Sequence, residues 1–159
     1  MYLLGKSLNE YVNVITLPLA VWIVWSIVSF IINLAFAPAV KNAGVGGMGA
    51  DVTALMIVGV VALIGLVVNV LAGIWIGWRT VTIIHGSYGH AAVAGVIAAA
   101  VNSAVTFILV IISGVFTGDL LAAVVSAIIG AVFGFIVGAI IAIILAAIGV
   151  FIASVMGKR

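Results

Sequence analysis

The 159 residues are 68% hydrophobic and only 5% charged, with a formal net charge of +2. Water-soluble domains are about 45–50% apolar and about 25% charged, so this composition excludes a soluble fold. Five Lys and Arg residues also cannot form the clustered basic patch of a nucleic-acid-binding protein. Cysteine is absent, which excludes disulfides and thiolate metal ligands. We therefore expect one integral membrane domain spanning residues 1–159.

Four apolar segments are long enough to cross a bilayer. A transmembrane helix needs about 20 predominantly apolar residues, because the hydrocarbon core is about 30 Å thick. The segments that meet this condition are residues 12–37, 52–78, 91–116 and 120–156. The sequence therefore predicts an all-α bundle of four transmembrane helices.

The first segment carries a clear helix start. Ser7 and Glu10 have the spacing of a capping box, which predicts a helix beginning near Leu8. Pro18 lies inside this helix and permits a bend. The apolar run is longer than the core of a signal peptide, so we interpret it as a span. Residues 38–50 begin with proline and contain four glycines, a composition that predicts a flexible, non-helical connection.

The next two connections contain candidate caps. Asp51 is predicted to be the N-cap of the second helix. Residues 79–90 are predicted to form the second connection, with Ser87 as a cap of the third helix. Residues 117–119 form a very short third turn. Its Asp119 is expected to interact with the positive end of the fourth helix dipole.

The last segment is unusually long. As one straight helix at about 1.5 Å per residue, residues 120–156 would extend about 55 Å. Such a helix must tilt or project beyond the bilayer. Alternatively, a tight turn near Gly134 or Gly138 would make residues 120–156 a helical hairpin and give five spans.

The positive charges favour four spans. Four spans place one group of basic residues on a single side of the membrane: Lys6, Arg79, Lys158 and Arg159. Lys41 alone lies on the other side, whereas five spans would divide the group. By the positive-inside rule, we expect a multi-pass protein of the cell membrane with both termini in the cytoplasm.

Small residues recur every four positions along the fourth segment. This ladder includes Ser126, Gly130, Gly134, Gly138 and Ala142. Its glycine core resembles a glycine zipper, a motif shared by many unrelated membrane proteins that assigns no family. Because helices in lipid associate through close packing, the ladder predicts a helix-packing face, either within the chain or between copies.

The four predicted spans contain no ionisable side chain, which disfavours a proton- or sodium-coupled transporter. Asn69 and Asn102 lie near the centres of the second and third spans. In an antiparallel pair they would fall at similar depth, so we expect them to form an interhelical hydrogen bond. Alternatively, they would line a pore or contact a substrate.

The densest polar cluster lies in the second predicted connection. Arg79, His85 and Tyr88 are candidates for binding an anionic lipid headgroup. His85 and His90 lack the spacing of a helical metal-binding pair, and no Asp, Glu or Cys accompanies them. Residues 86–89 also lack the Gly-x-Ser-x-Gly pattern of a nucleophile elbow. We expect no catalytic residue, no metal and no cofactor.

Two functions fit these observations. The first is a structural or accessory subunit of a homo-oligomeric array or of a larger membrane complex, which the small-residue faces favour. The second is an oligomeric channel or transporter lined by Asn, Ser and Gly faces. An intramembrane enzyme lacks an acid, base, nucleophile or metal set. The expected partners are membrane lipids and further copies or other subunits, and not nucleic acid.

Overall fold

In a computed structural model of the chain, residues 2–46 and 52–157 are described. Within these residues, a short antiparallel hairpin precedes four long helices. Its strands are β1 (Tyr2–Leu3) and β2 (Lys6–Ser7). The helices are α1 (Leu8–Gly46), α2 (Val52–Ile84), α3 (Tyr88–Thr117) and α4 (Leu120–Met156).

Each of the four helices is long and apolar enough to cross a membrane, which confirms the predicted number of helices. α4 is one continuous helix of 37 residues. It contains no turn at Gly134 or Gly138, so the hairpin on which the five-span alternative depended does not form.

The start of α1 follows the capping-box prediction. The Ser7 N–H donates to Glu10 Oε2 at 2.6 Å, and the Glu10 N–H donates to Ser7 Oγ at 3.4 Å. Lys6 also forms an ion pair with Glu10 at 3.6 Å. These contacts supply partners for amides at the helix start, which accounts for the beginning of α1 at Leu8.

The predicted end of α1 is wrong. The helix continues to Gly46, so residues 38–46 are helical and do not form a flexible connection. Proline removes one backbone hydrogen bond and each glycine costs about 1 kcal/mol, so these residues weaken a helix without fixing its end. The candidate cap Asp51 lies outside the described residues.

The predicted second connection, residues 79–90, is also too long. α2 extends to Ile84, so only residues 85–87 separate it from α3. Polar residues in this stretch are accommodated within the helix. The Thr80 hydroxyl, for example, is buried and donates to the Ile76 carbonyl at 2.9 Å.

Two other predicted caps are confirmed. Ser87 is the N-cap of α3, and its N–H donates to His90 Nδ1 at 3.0 Å. Asp119 is the N-cap of α4 and accepts a hydrogen bond from the Ala122 N–H at 3.3 Å. Gly118 completes the α3–α4 turn in the left-handed conformation (φ 74°), which glycine adopts without steric cost.

The core lies at one end of the bundle, where α1 and α3 begin and α2 and α4 end. We call this the closed end. The buried hydrophobic residues that form its core are Tyr11, Val14, Ile15, Ile76, Ile84, Ala91, Ala94, Ala98, Ala146 and Val150. Here α2 and α4 meet backbone to backbone. A Cβ at Gly77 would clash with the Ala146 carbonyl, and a Cβ at Gly149 would clash with the Ile74 carbonyl.

The α4 ladder packs within the chain over only part of its length. Ala142 is buried, and a Cβ at Gly138 would come within 4.0 Å of Ala99 Cβ. In contrast, a Cβ at Gly130 or Gly134 would meet nothing within 4 Å. Ser126, at the start of the ladder, is exposed. A contact between copies at these open positions stays a prediction.

Candidate functional site

α1 leaves the tightly packed core after Pro18. No described α1 side chain beyond Pro18 is buried. A cavity of about 770 Å³ lies beside this part of α1. Its lining comes mainly from residues 22–33 of α1, 58–70 of α2 and 102–113 of α3. The cavity therefore runs from the middle of the bundle toward the end opposite the closed end.

Three buried side-chain oxygens have no hydrogen-bond partner among the described residues: Ser29 Oγ, Asn69 Oδ1 and Asn102 Oδ1. All three residues line this cavity. An unpaired buried polar group costs about 1–3 kcal/mol, and folded proteins contain few of them. These oxygens have almost no accessible surface, so a group from outside the chain can supply the missing hydrogen bonds only after the side chains rotate toward the cavity.

The predicted hydrogen bond between Asn69 and Asn102 does not form, because neither side-chain oxygen accepts one. The prediction assumed that α2 and α3 pair as neighbours, but α2 packs mainly against α1 and α4. Both amides instead lie in the cavity wall. They also line a second cavity, of about 280 Å³, on the side of α4. The two asparagines thus belong to the walls of both spaces.

The remaining polar groups of the larger cavity are neutral. On α1, Ser26 Oγ donates to the Trp22 carbonyl at 3.0 Å, and Asn33 Nδ2 donates to the Ser29 carbonyl at 2.8 Å. No Asp, Glu, Lys, Arg or His belongs to the described lining. Most of the wall is apolar. The cavity therefore combines a hydrophobic surface with uncharged amide and hydroxyl groups.

Arg79 joins α2 to α1 at the closed end of the bundle. Its Nε donates to the Val14 carbonyl and its Nη2 to the Asn13 carbonyl, both at 2.8 Å. In a regular helix the Val14 carbonyl would accept the N–H of residue 18, but Pro18 has none. Arg79 therefore supplies the donor that the proline removes. It fixes α1 at its last tightly packed turn.

The predicted lipid contact at Arg79, His85 and Tyr88 stays a prediction. Two Arg79 donors are used by α1, and His85 and Tyr88 are exposed. His85 adopts a positive φ of 48° in the short α2–α3 connection. The cluster thus lies at the closed end of the bundle, away from the larger cavity.

The N-terminal hairpin covers the closed end through contacts that the sequence analysis missed. The Tyr11 hydroxyl donates to the Leu3 carbonyl at 3.0 Å, and His90 Nε2 lies 3.1 Å from the Leu4 carbonyl. The rings of Tyr11 and His90 stack with centroids 6.3 Å apart. Nδ1 of His90 accepts a hydrogen bond from the Ser87 N–H, so the ring proton is on Nε2. Nε2 therefore donates to the Leu4 carbonyl. The three-residue spacing of Ser87 and His90 is the sequence signal for the contact between these two residues.

No family model, curated protein or solved structure matches the chain. Within the described residues, no group of three His, Asp or Glu side chains is placed to hold a metal ion. The features of the molecule that bear on function are therefore the cavity and the surfaces of the helices.

Proposed function

We propose that this chain is a non-enzymatic, multi-pass membrane protein that binds a small molecule between α1, α2 and α3, as a transport or channel subunit. The observation that carries the proposal is the set of three unpartnered, buried oxygens around one cavity. Of the two functions that fit the sequence, the geometry favours this one.

The distribution of polar and apolar groups supports a membrane setting. Large apolar side chains cover the outside of the bundle; Leu63 is 67% exposed and Leu121 is 79% exposed. Exposed apolar surface of this extent is unfavourable in water and favourable in lipid. The amides of Asn69 and Asn102 lie inside, near the middle of their helices. In hydrocarbon an unsatisfied polar group is costly, so a functional ligand or water is the natural partner for them.

The shape of the cavity favours a mechanism in which a solute binds before it crosses the membrane. It extends toward one end of the bundle, while the core around Tyr11, Ile76 and Ala94 occupies the other. A solute can therefore cross only after the closed end opens, as in a carrier or gated channel. With the N-terminus in the cytoplasm, the cavity would face the opposite side of the membrane.

A structural or accessory role is the second candidate, favoured by the open part of the α4 ladder. Gly130 and Gly134 have no described residue against them, although the same face packs closely further along at Ala142. A helix from a second copy or from another membrane subunit would bring two backbones together there. The two roles are compatible, because many transport units are oligomeric.

Cysteine accessibility tests the proposed function. The chain has no native cysteine, so Ser29→Cys and Asn102→Cys introduce single thiols. In proteoliposomes we expect both to react with a small, water-soluble methanethiosulfonate, because thiolate forms where water enters. Ser126→Cys is the control, on the outer surface of α4 and outside the cavity. It should react far more slowly, because lipid and not water would cover that surface. If both cavity thiols react as slowly as the control, solute does not enter, and the structural role is favoured.

A further inference from the structure

The lining of the larger cavity also restricts the chemistry of its ligand. We infer that the cavity binds an uncharged amphiphile, with an apolar body and a hydroxyl, carbonyl or amide group that hydrogen-bonds beside Asn69 and Asn102. This inference rests on the proposed function and specifies the ligand class for the same site.

The volume suits an organic molecule of moderate size. Ligand cavities in proteins commonly enclose about 300–1,000 Å³ and have mostly apolar walls with a few oriented polar groups. The cavity here is partly open and has a volume of about 770 Å³. Phe30, Val58 and Leu109 contribute apolar surface on three different helices. An alkyl or ring skeleton would displace water from this surface, which is favourable.

The absence of charge in the described lining selects against ions. Moving an ion out of water without a partner costs far more than moving a neutral polar group. The cation Arg79 is not part of the described lining, and it is held at the closed end by the Val14 and Asn13 carbonyls. A carboxylate or ammonium ligand would therefore find no counter-charge in the cavity wall.

The polar groups also predict how the ligand is oriented. Asn69 and Asn102 lie at the deep end of the cavity, near the middle of α2 and α3. Each amide carries both donors and an acceptor, so together they can satisfy a hydroxyl or carbonyl group. Ser29 lies further along α1 and adds a hydroxyl. The polar end of the ligand should therefore point into the bundle and its apolar end toward the opposite end of the cavity.

Fluorescence quenching by brominated probes tests this inference. Of four tryptophans, Trp22 and Trp25 line the cavity. Replacing the other two (Trp75→Phe and Trp78→Phe) leaves an emission signal from the cavity alone. The probes share one ω-bromoundecyl chain and end in a hydroxyl, a sulfonate or a trimethylammonium group. In lipid nanodiscs we expect saturable quenching by the alcohol, with affinity roughly tenfold or more above that of either ion.

Side-chain variants provide the second arm of the test. In Asn69→Leu combined with Asn102→Leu, the alcohol should bind roughly tenfold more weakly, because two hydrogen-bonding groups are lost. Ser126→Ala, outside the cavity, should leave binding unchanged. Asn102→Asp, which is nearly isosteric, should shift the preference toward the trimethylammonium probe.

The outcomes separate this inference from the proposed function. Equal, saturable binding of all three probes would overturn the selectivity for neutral ligands while leaving a binding cavity in place. Unchanged alcohol affinity in the double leucine variant would overturn the assigned contacts. If no probe gives saturable quenching, the inference that the ligand is an amphiphile is wrong. Thiol labelling at Ser29→Cys and Asn102→Cys then shows independently whether a water-soluble solute still enters.

Discussion

Pro18 and Arg79 should be energetically coupled, because one removes a hydrogen-bond donor and the other replaces it. In Arg79→Leu, the Val14 and Asn13 carbonyls lose donors that now lie 2.8 Å away. Val14 is fully buried, so its carbonyl has little access to water. An unsatisfied buried group costs about 1–3 kcal/mol, and we expect Arg79→Leu to lower the free energy of unfolding by about 2–3 kcal/mol.

The second perturbation restores the missing backbone donor. Pro18→Ala provides an N–H that can reach the Val14 carbonyl within the helix, whatever its own effect on stability. In the Pro18→Ala background, Arg79→Leu should therefore cost about 1–2 kcal/mol less than in the natural chain.

A double-mutant cycle measures this coupling. Unfolding of the four proteins in mixed micelles, with increasing denaturing detergent, gives the free energy of each. Arg79→Lys is a useful control, since it keeps the charge but lacks the planar fork that reaches two carbonyls. If the two changes are additive within about 0.5 kcal/mol, Arg79 does not replace the donor that Pro18 lacks.

Three further predictions concern packing and topology. Gly77→Ala should destabilise the chain by about 1–3 kcal/mol in the same unfolding assay, because its Cβ would overlap an α4 carbonyl. Gly134→Ala should be neutral or stabilising by up to about 1 kcal/mol. If Gly134→Ala destabilised the chain more than Gly77→Ala, the assigned helix contacts would be wrong. Gly134→Leu should reduce oligomer size in mild detergent, whereas Ile136→Leu should not; equal behaviour would mean that the open ladder faces lipid. Cysteines at Ser87 and Gly157 should be labelled from the same side of intact cells, the cytoplasm, and labelling from opposite sides would reject the four-span topology.

The features predicted well from sequence depend on residues close together in the chain. Helix number follows from long apolar runs, which need no knowledge of neighbours. The starts of α1, α3 and α4 follow from Ser7, Ser87 and Asp119, whose hydrogen-bond partners lie three residues away. The ends of α1 and α2 were missed, because Pro, Gly and Thr lower helix propensity without forbidding helix.

The site could not be predicted because its geometry depends on which helices are adjacent. From the sequence, Asn69 and Asn102 are predicted to be polar groups near the centres of their helices. Their direct bond required α2 and α3 to pair, and α2 instead packs mainly on α1 and α4. Pro18 does signal an unpaired Val14 carbonyl, but the donor on Arg79 is 65 residues away in the chain. Long-range partners of this kind are not encoded in local spacing.

A structure of the chain in lipid nanodiscs, at a resolution that shows side chains, would reveal what contacts the Asn69 and Asn102 amides. We expect the cavity beside α1 beyond Pro18 to be present, with ordered non-protein density within hydrogen-bond distance of both amides, at a typical donor–acceptor separation of about 2.7–3.2 Å. A closed bundle in which Asn69 and Asn102 hydrogen-bond directly to each other, with no cavity between α1, α2 and α3, would contradict this expectation.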